Sequence, residues 1–361
     1  MPSVTNLTAE AIDLLKRLIA TPSLSKAEDK TADLIAQYLA DKGFHVQRQQ
    51  HNVWVKATNA VEGAPVLLLN SHHDTVKPNK GWVRDPFAPT VEGDQLFGLG
   101  SNDAGASAVS LIATFCYLAK QESMPVQLVL AITAEEENSG VNGIRSILPV
   151  LGKIDCAIVG EPTAMELAIA EKGLLVLDVT AKGKAGHAAR EEGVNALYLA
   201  MDDIQWFRNY QFEHASDFLG PVKMSVTQIQ AGYQHNVVPD ECKFVVDVRT
   251  NECYSNAQVL ETIRTHVNAD VQPRSTHLNS SKIALNHPLI QRGIQLERPY
   301  YGSPTMSDQA MLSCPSLKMG PGMSARSHTP DEFIMLSEIE AAIPLYIKLL
   351  SGLEIPHWHQ D

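Results

Sequence analysis

Apolar positions in the first third of the chain follow two patterns, one with helical spacing and one of short continuous runs. Helical spacing begins after Thr8 and again after Ser25, so we expect two helices with these residues as N-caps and Gly43 ending the second. The short runs predict strands and a buried helix of small residues. The strands are expected at residues 53–57, 66–69, 127–132 and 156–159, and the buried helix at 104–118. Short apolar strands that alternate with helices indicate an α/β fold with a mostly parallel sheet.

The pattern changes after Gly173 and returns to the first kind at about residue 281. Between these points we expect strands at 174–181, 222–229, 243–250 and 271–278, with helices at 195–207 and 256–267. This β-α-β-β-α-β order is typical of a ferredoxin-like α+β domain. A last helix is predicted at 338–350. We therefore expect a discontinuous domain of residues 1–173 and 281–361, with residues 174–280 inserted into it as a second domain.

Composition excludes several classes of partner. The 361 residues carry 29 Lys and Arg against 41 Asp and Glu, for a formal net charge of −12. Without a basic cluster, this balance disfavours binding to nucleic acid or to an anionic membrane. No apolar run approaches the roughly 20 residues of a membrane span. The N-terminal residues lack a basic, apolar leader, and the five cysteines are widely spaced, so we expect a cytoplasmic protein with reduced thiols.

Polar residues follow three of the predicted strands directly. The segment NSHHD (70–74) follows the second strand, EEE (135–137) the third, and Glu161 the fourth. Open α/β sheets bind ligands at the carboxyl ends of their strands, and Asp74 is spaced to orient the ring of His72. Each segment alone is also compatible with a polar surface loop.

Two further segments carry candidate ligands. Asp103 ends GLGSND (98–103), where it could instead cap the buried helix, and His328 lies in SHTPDE (327–332). The glycine spacing fits neither a phosphate loop nor a dinucleotide fingerprint. Two histidines and several carboxylates at strand ends form the ligand set of zinc or a similar divalent ion. A spare glutamate beside a ligand glutamate is typical of metal-assisted hydrolysis.

Taken together, the motifs resemble the M20 family of co-catalytic zinc aminoacylases and peptidases. Within the family, they resemble the branch of acetylornithine deacetylases and succinyl-diaminopimelate desuccinylases. The resemblance runs in order along nearly the whole chain through SHHD (71–74), GLGSND (98–103), EEE (135–137), GEPT (160–163), GKAGHA (183–188), HNVVPD (235–240), VDVR (246–249) and GPGMSARSHTPDE (320–332). It implies a zinc-peptidase-like catalytic domain with an inserted lid and dimerisation domain, and hence a homodimer.

The resemblance also implies the roles of the site residues. Two divalent ions, zinc or else cobalt, would be held by His72, Asp103, Glu137, Glu161 and His328. Asp74 would orient His72, and Glu136 would be the general base. The family commonly shows Asp-Glu-Glu where this chain has three glutamates, so a shift of one residue, with Glu135 as the base, stays open.

Residues of the lid and of two loops would handle the substrate. By resemblance, His187 stabilises the tetrahedral oxyanion, while Asn236 and Arg249 grip the substrate's α-carboxylate. Arginine suits that task because its planar fork binds a carboxylate through two hydrogen bonds. Gly322 would add backbone N–H groups to this anion site, and Ser303, in YGSPTMSD (301–308), would complete the pocket.

The sequence thus predicts a hydrolase that removes a small N-acyl group from an amino acid. N-acetylornithine, an intermediate of arginine biosynthesis, is the preferred substrate. The alternatives are N-succinyl-ornithine or N-succinyl-citrulline, N-succinyl-diaminopimelate, and the peptide substrates of an M20 aminopeptidase. A non-catalytic amino-acid-binding protein on the same fold is a further alternative, although every ligand position and a base are present.

Overall fold

The computed structural model describes residues 3–190 and 192–359, which form two compact units. The first unit comprises the described residues of Met1–Ile169, Lys282–Tyr301 and Ser307–Asp361. The second comprises those of Ala170–Ser281 and Gly302–Met306. The chain thus leaves the first unit near residue 170 and returns near 282, whereas the sequence places these points at 174 and 280.

The helices and strands are numbered in chain order. The helices are α1 (Val4–Ile19), α2 (Asp29–Asp41), α3 (Ala106–Leu118), α4 (Ile144–Leu151), α5 (Ala196–Asn209), α6 (Asn256–His266), α7 (Pro288–Gln295) and α8 (Leu336–Leu350). The strands are β1 (Gln47–Gln49), β2 (Asn52–Lys56), β3 (Val66–His72), β4 (Thr90–Glu92), β5 (Gln95–Phe97), β6 (Gln127–Thr133), β7 (Cys156–Val159), β8 (Leu167–Glu171), β9 (Gly173–Lys182), β10 (Gly186–His187), β11 (Lys223–Ala231), β12 (Val237–Val238), β13 (Glu241–Thr250), β14 (Asp270–Pro273), β15 (Ser281–Lys282), β16 (Tyr300–Ser303), β17 (Ser316–Lys318) and β18 (Phe333–Met335).

The main sheet of the first unit has a parallel centre and antiparallel edges. Its order is β1-β2-β6-β3-β7-β17-β8-β15, with β16 also beside β8. Strand β3 pairs in parallel with β6 and β7, and β17 pairs in parallel with β7. These central strands are apolar and almost wholly buried, as expected of strands covered on both faces. Their carboxyl ends therefore meet at one edge of the sheet.

Helix α3 lies in the core of the first unit, packed against α1 and α8. Its small and apolar side chains are buried on nearly every face, which suits a helix enclosed by sheet and helices. A second, three-stranded sheet, β18-β5-β4, lies in the same unit.

The second unit contains a four-stranded antiparallel sheet in the order β11-β13-β9-β14. With helices α5 and α6 placed as predicted, this is the ferredoxin-like arrangement. Alternate residues of β9 and β13, such as Leu177 and Phe244, point into a core shared with the two helices. The short strands β10 and β12 pair with each other. The structure has the predicted architecture: a mixed α/β domain with a mostly parallel central sheet, plus an α+β domain.

Three local predictions are wrong. Thr8 lies inside α1, where its hydroxyl donates to Val4 O, and Ser3 caps the helix instead. Helix α2 starts at residue 29, because Ser25 donates its hydroxyl to Asp74 rather than capping. The strand expected at 271–278 is the shorter β14 and ends at Pro273.

No helix in residues 3–190 and 192–359 is both long enough and apolar enough to cross a membrane.

Candidate metal centre

The parallel strands bring three of the predicted segments together in the first unit. Strand β3 ends at His72, which lies opposite Thr133, the last residue of β6. The glutamates of residues 135–137 begin two residues after Thr133, and Glu161 follows β7 at the same edge of the sheet. The centre is therefore a consequence of parallel pairing, since each strand delivers its polar residues at the same end.

His72 is buried among carboxylates. Its Nε2 atom lies 3.3 Å from Asp103 Oδ1, 3.7 Å from Glu161 Oε1 and 3.9 Å from Glu136 Oε2. Burial lowers the pKa of His72, but the hydrogen bonds to Asp103 and Asp74 outweigh it and hold the pKa well above its ordinary value. The imidazole therefore faces a concentration of negative charge.

Asp103 stands between two groups of ligands. Its Oδ1 atom faces His72, while Oδ2 lies 3.6 Å from Nε2 of His328. His328 in turn lies 2.9 Å from Glu137 Oε2. One carboxylate is thus shared by a histidine on each side, although residues 103 and 328 are far apart in the sequence.

The residues present fit divalent metal ions. Two groups of three ligand atoms each lie within 4.8 Å of one another: His72 with Asp103 and Glu137, and His72 with Glu136 and Glu161. Within the described residues, Oε1 of Glu161 is buried and has no hydrogen-bond partner. Burial raises the pKa of Glu161 to about 8 and that of Glu136 well above its usual range. Crowded, under-satisfied carboxylates beside imidazoles are the donor set of zinc and similar ions.

Asp74 connects the end of β3 to the glutamate segment. Its carboxylate lies 3.4 Å from His72 Nδ1 and accepts the backbone N–H groups of Glu136 (3.0 Å) and Glu137 (3.2 Å). Ser25 donates its hydroxyl to the same carboxylate at 2.7 Å. Burial raises the pKa of Asp74, but His72 and these donors together lower it below its ordinary value.

Glu135 points away from the ligand groups. Its backbone has φ = 55°, and its carboxylate accepts the side-chain and backbone N–H groups of Asn142. The structure therefore brings together His72, Asp74, Asp103, Glu136, Glu137, Glu161 and His328, and it turns Glu135 elsewhere.

Two buried carboxylates next to this centre were not given roles by the sequence. Asp308 accepts the hydroxyl of Thr133 at 2.8 Å, at the end of β6. Glu332 accepts backbone N–H groups of the segment that carries Asp103. Glu332 lies in the predicted SHTPDE segment, four residues after His328, but nothing in the sequence shows which backbone its carboxylate contacts.

The predicted lid residues all lie in the second unit. His187 and Val237 are partners in the β10–β12 pair, which places Asn236 next to this pair, and Ala188 N donates to Asn236 O. Arg249 donates two hydrogen bonds to Asp247 on the same strand, at 2.8 and 3.0 Å.

Ser303 and Gly322 have local structural partners. The Ser303 hydroxyl contacts Thr305 within its own loop, in the second unit. Gly322, in the first unit, has φ = 88°, and a Cβ atom there would clash with Oδ1 of Asn102. This position therefore requires glycine, whatever its backbone N–H binds.

Comparison with known proteins agrees with a metallopeptidase fold. The model of the peptidase dimerisation domain of the M20 family matches residues 169–274, and that of peptidase family M28 matches residues 52–154. A succinyl-diaminopimelate desuccinylase from Xanthomonas campestris is 27% identical, over 96% of this chain and 100% of that protein. Another, from a Ruegeria species, is 24% identical over 94% of each.

Solved structures share the fold over nearly the whole chain. Aminopeptidase PepT from Bacillus cereus has a TM-score of 0.76 at 18% identity, covering 95% of this chain and 98% of that one. The YXEP protein of Bacillus subtilis, a dinuclear metal binding peptidase from the M20 family, has a TM-score of 0.73 at 18% identity, covering 96% and 98%. The chain therefore has the two-domain fold of these peptidases. The resemblance to the M20 peptidase family, with its dimerisation domain, is confirmed.

Proposed function

We propose that this chain is a two-metal hydrolase that cleaves the amide bond of a small N-acyl amino acid. The observation that carries the proposal is Asp103, whose two carboxylate oxygens face His72 on one side and His328 on the other. Glu161 would join His72 and Asp103 in holding one ion. Glu137 would join His328 and Asp103 in holding the other. Zinc is the expected ion, with cobalt as the alternative, and the metal identity stays a prediction.

Bound metal ions would polarise the amide carbonyl and acidify the attacking water. Glu136 is the proposed general base: its Oε2 atom would accept a proton from that water and return it to the leaving nitrogen. Burial, with the charges of neighbouring carboxylates, raises the pKa of Glu136, which suits a group that must hold a proton near neutral pH. Glu135 is a poor alternative, because Asn142 already occupies its carboxylate.

In the second unit, His187 is proposed to donate to the developing oxyanion, and Asn236 and Arg249 to bind the substrate's carboxylate. Asp247 holds the Arg249 guanidinium by two hydrogen bonds, which fixes the plane of the fork. Gly322 and Ser303 stay predicted substrate-binding residues.

A basic cluster surrounds Arg249 in the second unit. Lys223 lies directly opposite Arg249 in the β11–β13 pair, an arrangement that is unfavourable for like charges. Lys172 lies close by: burial lowers its pKa, and the charges of Lys223 and Arg249 lower it further. Three cations beside the carboxylate of Asp247 favour an anionic substrate.

This basic cluster bears on whether the substrate carries an acetyl or a succinyl group. N-acetylornithine, preferred from the sequence, has one carboxylate, whereas an N-succinyl amino acid has at least two. The cluster, together with relatives named as succinyl-diaminopimelate desuccinylases, supports a desuccinylase as a second candidate. The choice between deacetylase and desuccinylase decides whether the protein acts in arginine biosynthesis or in another amino-acid pathway. A cytoplasmic location stays a prediction.

The test is a comparison of hydrolysis rates on one panel, with Zn²⁺ or Co²⁺ added. The panel contains N-acetylornithine, N-succinylornithine, N-acetylcitrulline, N-succinylcitrulline, N-succinyl-diaminopimelate and a dipeptide. We expect one N-acyl amino acid to exceed the others in kcat/KM. Cleavage of the dipeptide alone would support an aminopeptidase. Binding without any turnover would support the non-catalytic alternative.

Lys223→Gln distinguishes the acyl groups. If the cluster binds a succinyl carboxylate, the variant should raise KM for N-succinyl substrates about 10-fold while leaving N-acetyl substrates unchanged, since hydrogen bonds to charged groups contribute about 1.5–3 kcal/mol. A KM increase for both classes would assign the cluster to the shared α-carboxylate. Lys243→Gln is the matched control, because this lysine pairs with Glu241 farther along β13.

A homodimer through the second unit is part of the proposal. The dimerisation-domain match spans this unit, and β11 pairs only with β13 among the described strands, so one of its edges is open. Strand β9 pairs on both sides and offers no such edge. Helix α5 adds exposed Tyr198 and Met201. Sedimentation should give a mass of about twice 39.5 kDa; a stable monomer would contradict the dimer.

A further inference from the structure

Glu332 is a buried carboxylate that holds no proposed ligand role. Its side chain is 2% exposed and accepts three backbone N–H groups. They come from Gly100 at 3.1 Å, Asn102 at 2.8 Å and Asp103 at 2.9 Å. All three donors belong to the segment that carries the shared carboxylate of Asp103. A carboxylate is the side chain that can accept three such donors through two oxygens.

A second side chain also joins the segment of Asp103 to the segment of Glu332, but from the opposite direction. Asn102 donates through Nδ2 to Met323 O at 3.1 Å and to Ser327 Oγ at 3.3 Å, and its Oδ1 accepts Met323 N at 3.0 Å. Gly98 N also donates to Glu332 O at 3.0 Å. Residues 98–103 and 322–332 are thus tied together by side chains of both segments, across more than 200 positions of sequence.

These connections bear on the spacing of two proposed ligands. Asp103 lies in one of the tied segments and His328 in the other, and Asp103 Oδ2 is 3.6 Å from His328 Nε2. If the ties were lost, residues 100–103 could shift relative to His328, and the spacing of the ligand atoms would change with them. His72 ends β3 and Glu161 follows β7, so the paired strands rather than these ties position them.

We propose that Glu332 is a positioning residue that sets the affinity of the ion held by Asp103, Glu137 and His328. It does so by holding the backbone of residues 100–103 against the segment of His328. The inference rests on the proposed two-metal function. It concerns chiefly this ion, because the other ion shares Asp103 but otherwise relies on His72 and Glu161, which the strands position.

Glu332→Gln is the decisive variant. It keeps the size of the side chain, but the amide places a donor where the carboxylate had an acceptor, so at least one backbone N–H loses its partner. Metal-free wild type and variant are titrated with Zn²⁺ by calorimetry, and bound ions are counted after equilibrium dialysis. Co²⁺ absorption spectra report the ligand geometry of each ion.

We expect wild type to bind two ions and Glu332→Gln to bind both, with the smaller loss of affinity for the ion held by His72, Glu161 and Asp103. The other ion should bind at least about 10-fold more weakly, as is typical when a residue that supports a metal ligand is lost. Glu332→Asp, which restores the charge on a shorter side chain, should recover part of the affinity. If Glu332→Gln does not fold, Glu332→Asp decides alone, with the greater loss of affinity expected for the same ion.

Asp203→Asn is the matched control. Asp203 is also a buried carboxylate that accepts two backbone N–H groups, but it lies in the second unit. It should leave both affinities unchanged. If the affinity of each ion is the same in wild type and in the Glu332 variants, the proposed role of Glu332 is overturned. Equal weakening of both ions in the variants would also overturn it. Fewer than two ions in wild type would instead overturn the proposed two-metal function.

Discussion

Glu135, Glu136 and Glu137 are neighbours in the sequence, yet their carboxylates serve different parts of the structure. The positive φ of Glu135 turns its side chain to Asn142, while Glu137 contacts His328. Glu136 is left beside His72 without taking either of these partners. The three roles therefore follow from the backbone path after β6.

Removing the carboxylate charge at each of the first two positions separates their roles. Glu136→Gln should lower kcat by about a thousandfold or more while two ions remain bound, because a general base is lost but no proposed ligand is. Glu135→Gln should retain most of the activity and instead lower stability, since it disturbs a buried hydrogen-bonded turn. Kinetics, metal analysis and thermal unfolding of both variants check this. Full activity in Glu136→Gln would contradict the mechanism.

His287 supplies a pH-dependent contribution to stability away from the ligand segments. Its Nδ1 accepts Leu289 N at 3.3 Å and caps α7, and burial lowers its pKa. The folded-state pKa therefore lies below the unfolded value of about 6.5. The contribution of the neutral ring is present above that pH and is lost as the pH falls below it toward the folded pKa.

His287→Asn keeps a cap acceptor that does not titrate. Between roughly pH 7.5 and roughly pH 5.5, metal-free wild type should lose about 1 kcal/mol more unfolding free energy than the variant, the usual contribution of an N-cap. Urea unfolding at the two pH values measures the difference. Identical losses in the two proteins would show that His287 does not titrate with unfolding.

At the scale of elements, the strands and their polar ends could be predicted because the signal is local. An apolar run followed by His, Asp or Glu is visible in the sequence, and parallel pairing then brings the ends together. The helix starts were harder, since Thr8 and Ser25 are both of a type that caps helices. What removed Ser25 from that role is its hydrogen bond to Asp74, 49 residues away.

The site residues that the sequence did not reveal also depend on contacts between distant parts of the chain. Glu332 and Asn102 act through contacts across more than 200 positions, and no local pattern records such a contact. Likewise, three consecutive glutamates look equivalent until the backbone conformation of Glu135 is known. The metal-ligand residues could be predicted from the sequence, but the side chains that hold these ligands in position could not.

Asp74 joins two elements, and its replacement tests how far the centre depends on that junction. Asp74→Asn puts an amide donor against the backbone N–H of Glu136 or Glu137, so the segment after β6 should loosen. We expect metal affinity to fall about 10- to 100-fold. Asp94→Asn is a suitable control, because Asp94 accepts from Ser337 at an exposed site. Unchanged metal affinity in Asp74→Asn would show that the strand ends alone hold the ligands.

At the scale of the whole molecule, the chain divides its tasks between two units with separate cores. All the proposed metal ligands lie in the first unit, where they concentrate acidic groups of a chain whose formal net charge is −12. The second unit has its own hydrophobic cluster around β9, β13, α5 and α6. A change in metal content should therefore act on one unit and leave the internal stability of the other unchanged.

Chelation of the metal tests this division. In the metal-free protein the carboxylates repel one another, so the thermal unfolding midpoint should fall. Zn²⁺ at about 1,000 times its Kd should restore about 4 kcal/mol of unfolding free energy per site.

In the metal-free protein, hydrogen exchange should quicken in residues 70–75, 100–105, 134–138, 160–163 and 327–332, and stay unchanged in β9 and β13. Asp103→Ala, which lacks the shared ligand, should respond far less to the chelator. Equal quickening in both units would mean that metal binding stabilises the chain as one body, and the division of tasks would then be wrong.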